Sequence, residues 1–142
     1  RVVLVGFSRG SIACNALGLA DDEMASLWQA AVCFSHYDGL RTWPFPDSDA
    51  ASAKARLARL GDRRQLILAE STAAATDESL PPALAATQRY LAELSPQGGF
   101  EFLETGFLNH DDDWALRPSP ARQQARQWLT DVLSLPDRRE SL

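Results

Sequence analysis

Gly6-Phe7-Ser8-Arg9-Gly10 sets a serine between two glycines in the pattern G-x-S-x-G. A serine hydroxyl can attack a carbonyl carbon when its oxygen is presented to substrate and a base removes its proton. The pentapeptide meets the first need if a strand enters it and a helix leaves it. The turn between them is so sharp that the serine backbone is strained and the hydroxyl is raised above the sheet edge. Only very small residues are then expected to fit two positions before and after the serine. Both flanks of Ser8 have the required character. Residues 1–6 (RVVLVG) hold four consecutive branched aliphatics, expected as a strand buried on both faces. Residues 10–19 read as a helix with Ile12, Ala13, Ala16 and Leu17 on one side. The same turn aims the backbone amide of Arg9 at a developing oxyanion, and the helix N-terminus adds a favourable dipole. Rival glycine-rich sites fail on detail: no lysine follows as in a P-loop, and VGFSRG lacks the G-x-G of a dinucleotide site.

The elements that would position Ser8 alternate short apolar runs with longer helical ones, which predicts a mostly parallel sheet covered by helices in an α/β/α three-layer domain. After the first strand and helix, acids open a second short helix over residues 21–29, and residues 30–35 (AAVCFS) form the next strand. Residues 36–47 are rich in proline, glycine and aromatics and must be a loop. An alanine-rich helix over 48–60 is stopped by Gly61. Residues 65–70 (QLILAE) read as a third strand, followed by a polar loop over 71–80. Pro81 and Pro82 open a helix to about Leu94, and Gly98-Gly99 precede a fourth strand over 100–104. A loop over 105–118 leads to a last helix. Its apolar stripe is Ala121, Ala125, Trp128, Leu129, Val132 and Leu133. Residues 1–136 read as one domain and residues 137–142 as a disordered tail.

From its elbow to its final helix the chain resembles the α/β-hydrolase superfamily, and the FSRG elbow is esterase-like. The resemblance implies that the four strands are the fifth to eighth of an eight-stranded sheet. The C-terminal half of that fold would then be present here. The other oxyanion donor, in the loop after the third family strand, would lie upstream of Arg1, which itself begins directly inside an apolar strand. On that reading the present residues alone lack part of the catalytic apparatus and expose a sheet edge. Family order places the base last, which points to His110 in Asn109-His110-Asp111-Asp112-Asp113-Trp114, just before the closing helix. The triad acid usually follows the third of these strands, and Asp77-Glu78-Ser79-Leu80-Pro81 resembles the end of that loop. Asp77 is the first choice. Glu70, at the strand end, and Asp38, after the preceding strand, stay open as alternatives. The implied activity is hydrolysis of a small carboxylic ester through an acyl-enzyme, with Ser8, Asp77 and His110 as triad and no cofactor. A peptidase or an acyltransferase would use the same parts.

The remaining chemistry-bearing residues have quieter readings. His36 reads as a pocket-lining or hydrogen-bonded residue, and Asp111 to Asp113 as solvated or capping acids. Trp43-Pro44-Phe45-Pro46 and Trp114 are loop aromatics that would wall a pocket or pack over the sheet edge. Arg9 would meet a substrate carboxylate or form a structural ion pair. Cys14 and Cys33 sit in apolar contexts without C-x-x-C spacing and are expected as buried free thiols; neither histidine stands at zinc-ligand spacing. In bulk, 142 residues at 45% hydrophobic make one domain with a real core. A formal charge of −5 with scattered basic residues argues against a nucleic-acid partner. No apolar run approaches the ~18 residues of a membrane span. Two other classes make different demands: a hydrolase fold kept for binding, and a flavodoxin-like nucleotide domain that needs a phosphate loop and gives His110 no role.

Overall fold

The computed structural model describes residues 1–71 and 84–135. Four strands form one parallel sheet in the order β1-β2-β3-β4, with β1 Val3–Phe7, β2 Ala30–Phe34, β3 Arg64–Ala69 and β4 Gly99–Glu104. Strand order follows chain order, so every crossover carries helical or loop segments across a face of the sheet. All strand C-termini therefore open on one edge, the edge where parallel sheets gather ligand-binding loops.

Alternation along the strands divides the core in two. On one face Ala31 and Cys33 of β2 and Ile67 and Ala69 of β3 pack against α1 (Arg9–Ala16), α2 (Asp22–Ser26), α3 (Ala50–Leu57) and α4 (Leu84–Leu94), through Cys14, Ala25, Leu57 and Leu91 among others. On the other face Ala30, Val32, Phe34, Leu66 and Leu68 meet α5 (Pro120–Ser134) through Ala125, Trp128 and Val132. The architecture is thus three layers, α/β/α, as the sequence pattern predicts. Local chemistry starts the helices where expected. Asp21 accepts from the Met24 amide at 2.8 Å, Asp49 from the Ala51 and Ser52 amides at 2.9 Å, and Ser119 from the Arg122 amide at 3.1 Å, with Pro120 in the first turn of α5. Each cap satisfies amides that the helix itself leaves unbonded.

Three expectations change. β1 is not buried on both faces. It pairs only with β2 among the described residues, and Val5 is 72% exposed. α1 does not turn Leu17 inward. Its buried residues are Ser11, Ile12, Cys14 and Asn15, because polar partners across the sheet hold it: Ser11 Oγ donates to the His36 carbonyl, and Gln65 Nε2 donates to Asn15 Oδ1 at 2.7 Å. Within the loop expected over 105–118, Asp113–Ala115 forms a short 3₁₀ turn that buries Trp114 against Phe34. Cys14 and Cys33 are free and buried, as read from their apolar surroundings. No helix among the described residues is long and apolar enough to cross a membrane. The expected tail over 137–142 and the prolines at the start of α4 lie outside the described residues.

Candidate active site

Ser8 occupies the joint between β1 and α1 with φ 55° and ψ −123°, a backbone region that side-chain-bearing residues rarely enter. Its amide donates to the Phe34 carbonyl at 3.0 Å, so the turn is pinned to the end of β2. Gly6 makes that turn possible. A Cβ there would stand 2.2 Å from the Gly10 carbonyl oxygen. Gly10 differs from expectation: a Cβ there would meet nothing within 4 Å among the described residues, because Gly10 faces the apolar groove beside the open edge of β1. The steric demand shown by the structure falls on the first glycine. Arg9 is the first residue of α1, in the turn where helix amides lack intrahelical partners. Its side chain is exposed and lines a cavity of about 560 Å³ with Phe45 and Pro46 of the aromatic loop.

His110 comes to Ser8 from the far side of the sheet. Its loop leaves β4 and is tied to the end of β3 by three bonds: the Thr105 amide to the Ala69 carbonyl at 2.9 Å, the Ser71 amide to the Phe107 carbonyl at 2.9 Å, and the Gly106 amide to Ser71 Oγ at 2.8 Å. The imidazole lies against Phe7, ring centres 4.9 Å apart, and Phe7 in turn stacks on Phe34 at 5.1 Å. Nε2 is 3.1 Å from Ser8 Oγ. Nδ1 is 2.8 Å from Glu70 Oε1, and the Glu70 side chain is 2% exposed. A chain of contacts, hydroxyl to imidazole to carboxylate, thus runs across the C-terminal ends of β1, β4 and β3.

Of the other acids considered from sequence, Asp38 stands elsewhere. Asp77 lies outside the described residues. Asp38 is buried and fully engaged: Arg56 Nε and Nη2 reach its two oxygens at 2.9 Å each. Burial pushes the Asp38 carboxyl up while Arg56 opposes the shift. Asp111 and Asp113 serve their own loop, Asp111 Oδ1 accepting from the Asp113 amide at 3.2 Å and Asp113 pairing with Arg117 at 2.7 Å.

His36 borders the site, its ring centre 5.6 Å from that of His110 and 5.5 Å from Trp43. Burial, then repulsion from His110, Arg41 and Arg9, lowers its pKa from 6.5 to about 4, so the ring is neutral at pH 7. One participant has no counterpart in the sequence reading. Ser35, expected as the last residue of the second strand, steps out of it with φ 83° and brings Oγ within 2.9 Å of His110 Nδ1. Nothing local marks this serine; only the pairing of β2 with β3 and the fold of the β4 loop put the ring beside it. No group of three or more potential metal ligands occurs among the described residues. No protein-family model and no curated protein sequence matches the chain.

Proposed function

We propose that this chain carries the nucleophile, base and acid of a serine hydrolase of α/β-hydrolase type that acts on small carboxylic esters. The observation that carries the reading is the contact series Ser8 Oγ to His110 Nε2 at 3.1 Å and His110 Nδ1 to Glu70 Oε1 at 2.8 Å, built on a strained strand-to-helix turn. These are the distances and the connectivity that an activated serine needs. In the reaction, Nε2 takes the Ser8 proton as Oγ bonds to the ester carbonyl carbon. The Arg9 amide, at the N-terminus of α1, faces the resulting oxyanion. The imidazolium then returns the proton to the departing alcohol as the C–O bond breaks, leaving an acyl-serine. Water repeats the sequence with the same base and frees the acid. Glu70 accepts from Nδ1–H throughout, which keeps the Nε2 lone pair directed at Ser8. Among the carboxylates open from sequence, Glu70 takes the orienting role, since of the two that are described it contacts His110 while Asp38 is held by Arg56.

Fluorophosphonate labelling and hydrolysis of a p-nitrophenyl ester by the purified protein test the reading together. Labelling at Ser8 is expected, with both signals abolished by Ser8→Ala. Glu70→Gln should lower kcat ~10⁴-fold, as loss of the tautomer-setting acid does in serine proteases, while Asp77→Asn stays near wild type. Labelling that survives Ser8→Ala would remove Ser8 from the role. A crippled Asp77→Asn beside a healthy Glu70→Gln would move the acid to Asp77.

A further inference from the structure

Resting on that reading of Ser8 and His110, we propose that Ser35 is a positioning residue for the base: its hydroxyl is a second oxygen at Nδ1 that locks the plane of the imidazole. Three observations meet at this side chain. Ser35 is 4% exposed, so its hydroxyl needs a partner within the protein. The partner the structure provides is His110 Nδ1 at 2.9 Å. And the residue holds φ 83°, a conformation natural to glycine and unfavourable to serine. Glycine would relieve the backbone at this position; what serine adds there is an oxygen aimed at the ring.

The geometry explains why one acceptor is not enough. Glu70 and Ser35 reach the same nitrogen from the ends of neighbouring strands, at 2.8 and 2.9 Å. The carboxylate only accepts, so it selects the tautomer with the proton on Nδ1. A single contact still leaves the ring free to swing about that bond. The second oxygen, offered by an amide-anchored residue (the Ser35 amide donates to the Leu68 carbonyl at 2.8 Å), shares the same N–H and fixes the swing. Phe7 beneath the ring completes a three-point seat for a side chain that is otherwise on an exposed loop. Ser35 does not touch the reacting atoms. Its effect should therefore appear in the rate of proton removal and leave substrate affinity alone.

The discriminating variant is Ser35→Gly, which deletes the hydroxyl and suits the backbone, so it is expected to fold at least as stably as wild type. It should lower kcat and the rate of fluorophosphonate labelling about 10-fold, less than the ~10² of a full ångström misplacement, with KM unchanged. The ¹⁵N imidazole signals of His110 should shift and broaden as the ring gains freedom. Unchanged His110 signals in Ser35→Gly would overturn the proposal, whatever the rates do, as would unchanged kcat and labelling. The two readings fail separately: ester turnover that survives Ser8→Ala sinks the hydrolase assignment, whereas the His110 spectrum reports on Ser35 without any catalytic turnover.

Discussion

The pair of histidines at the strand ends shows how the surroundings of a side chain divide its duties. His110 is loop-borne and partly exposed, with its two nitrogens engaged by Ser8 on one side and by Glu70 and Ser35 on the other. His36 is buried, packed between Trp43 and His110, and held neutral by burial and by the neighbouring positive groups, with Glu70 opposing. Its lowered folded value has a consequence for stability. Well above pH 6.5 the ring is neutral whether the chain is folded or not, and it contributes no pH dependence. Below 6.5 the unfolded chain takes up a proton that the folded chain refuses until about pH 4. Stability is therefore lost as pH falls through that window, by up to about 1.4 kcal/mol per unit. Urea denaturation of wild type and His36→Asn between pH 4 and 7 should show the slope reduced in the variant. Parallel curves would mean that His36 titrates normally in the folded protein.

At the scale of elements, the elbow is a meeting of β1, α1 and the end of β2, and its two glycines are not equivalent. Gly6 packs against the backbone of Gly10 and Ser11, where an added methyl finds carbonyl oxygen, carbonyl carbon and amide nitrogen at 2.2, 2.4 and 2.5 Å. Backbone cannot give way as a side chain can, so Gly6→Ala should cost about 3 kcal/mol or more and displace Ser8. Gly10→Ala adds a methyl to the first turn of α1 in open space among the described residues, where alanine favours the helix by ~1 kcal/mol. Equilibrium unfolding should show Gly10→Ala neutral or stabilised. Equal losses at the two positions would reveal a close neighbour at Gly10 as well. A second junction shows the same economy: Asp38, in the loop after β2, and Arg56, on α3, form a buried bidentate pair, and Arg56 also donates to the Asp47 carbonyl at 2.9 Å. That pair fixes the aromatic loop to the helix layer and withdraws Asp38 from the site.

The whole molecule depends unequally on its two outer layers. Among the described residues, the face bearing Ala31, Cys33, Ile67 and Ala69 is covered by several helices, whereas the opposite face rests on α5 and the short turn at Trp114. Trp128 is the keystone of α5. It is buried against the sheet, its Nε1 donates to Glu101 Oε1 at 2.8 Å, and the Arg64 guanidinium lies over its ring at 5.7 Å. Trp128→Ala should lower unfolding stability by ~3–5 kcal/mol. Because the Phe34–Trp114 contact beneath the His110 loop belongs to the same apolar cluster, labelling of Ser8 should slow as well. A change below 1 kcal/mol in urea denaturation would show that α5 is dispensable to the sheet.

Sequence alone determined the parts of this protein that are written in neighbouring residues. Four apolar runs became four parallel strands, and the serine in Gly6-Phe7-Ser8-Arg9-Gly10 stands on the strained turn that its glycine and its flanking pattern foretold. Periodicity, capping and close backbone approach act over a few residues, so they can be read along the chain. The partner of His110 could not be read that way. Sequence made Asp77 the first choice with Glu70 and Asp38 as alternatives, and among the described residues tertiary structure separates Glu70 from Asp38 by lateral placement. The parallel register sets the ends of β3 and β4 side by side, Ala69 opposite Glu104, so the residue after Ala69 meets the loop that carries His110. Arg56, arriving from α3, holds Asp38 away from it. Ser35 was hidden for the same reason: its hydroxyl reaches the ring only once β2 lies against β3 and the chain leaves the strand with a positive φ. Contacts between strand ends are made by residues 40 to 102 positions apart, and only folding brings such residues within the roughly 3.2 Å of hydrogen-bond reach at which a proton can pass.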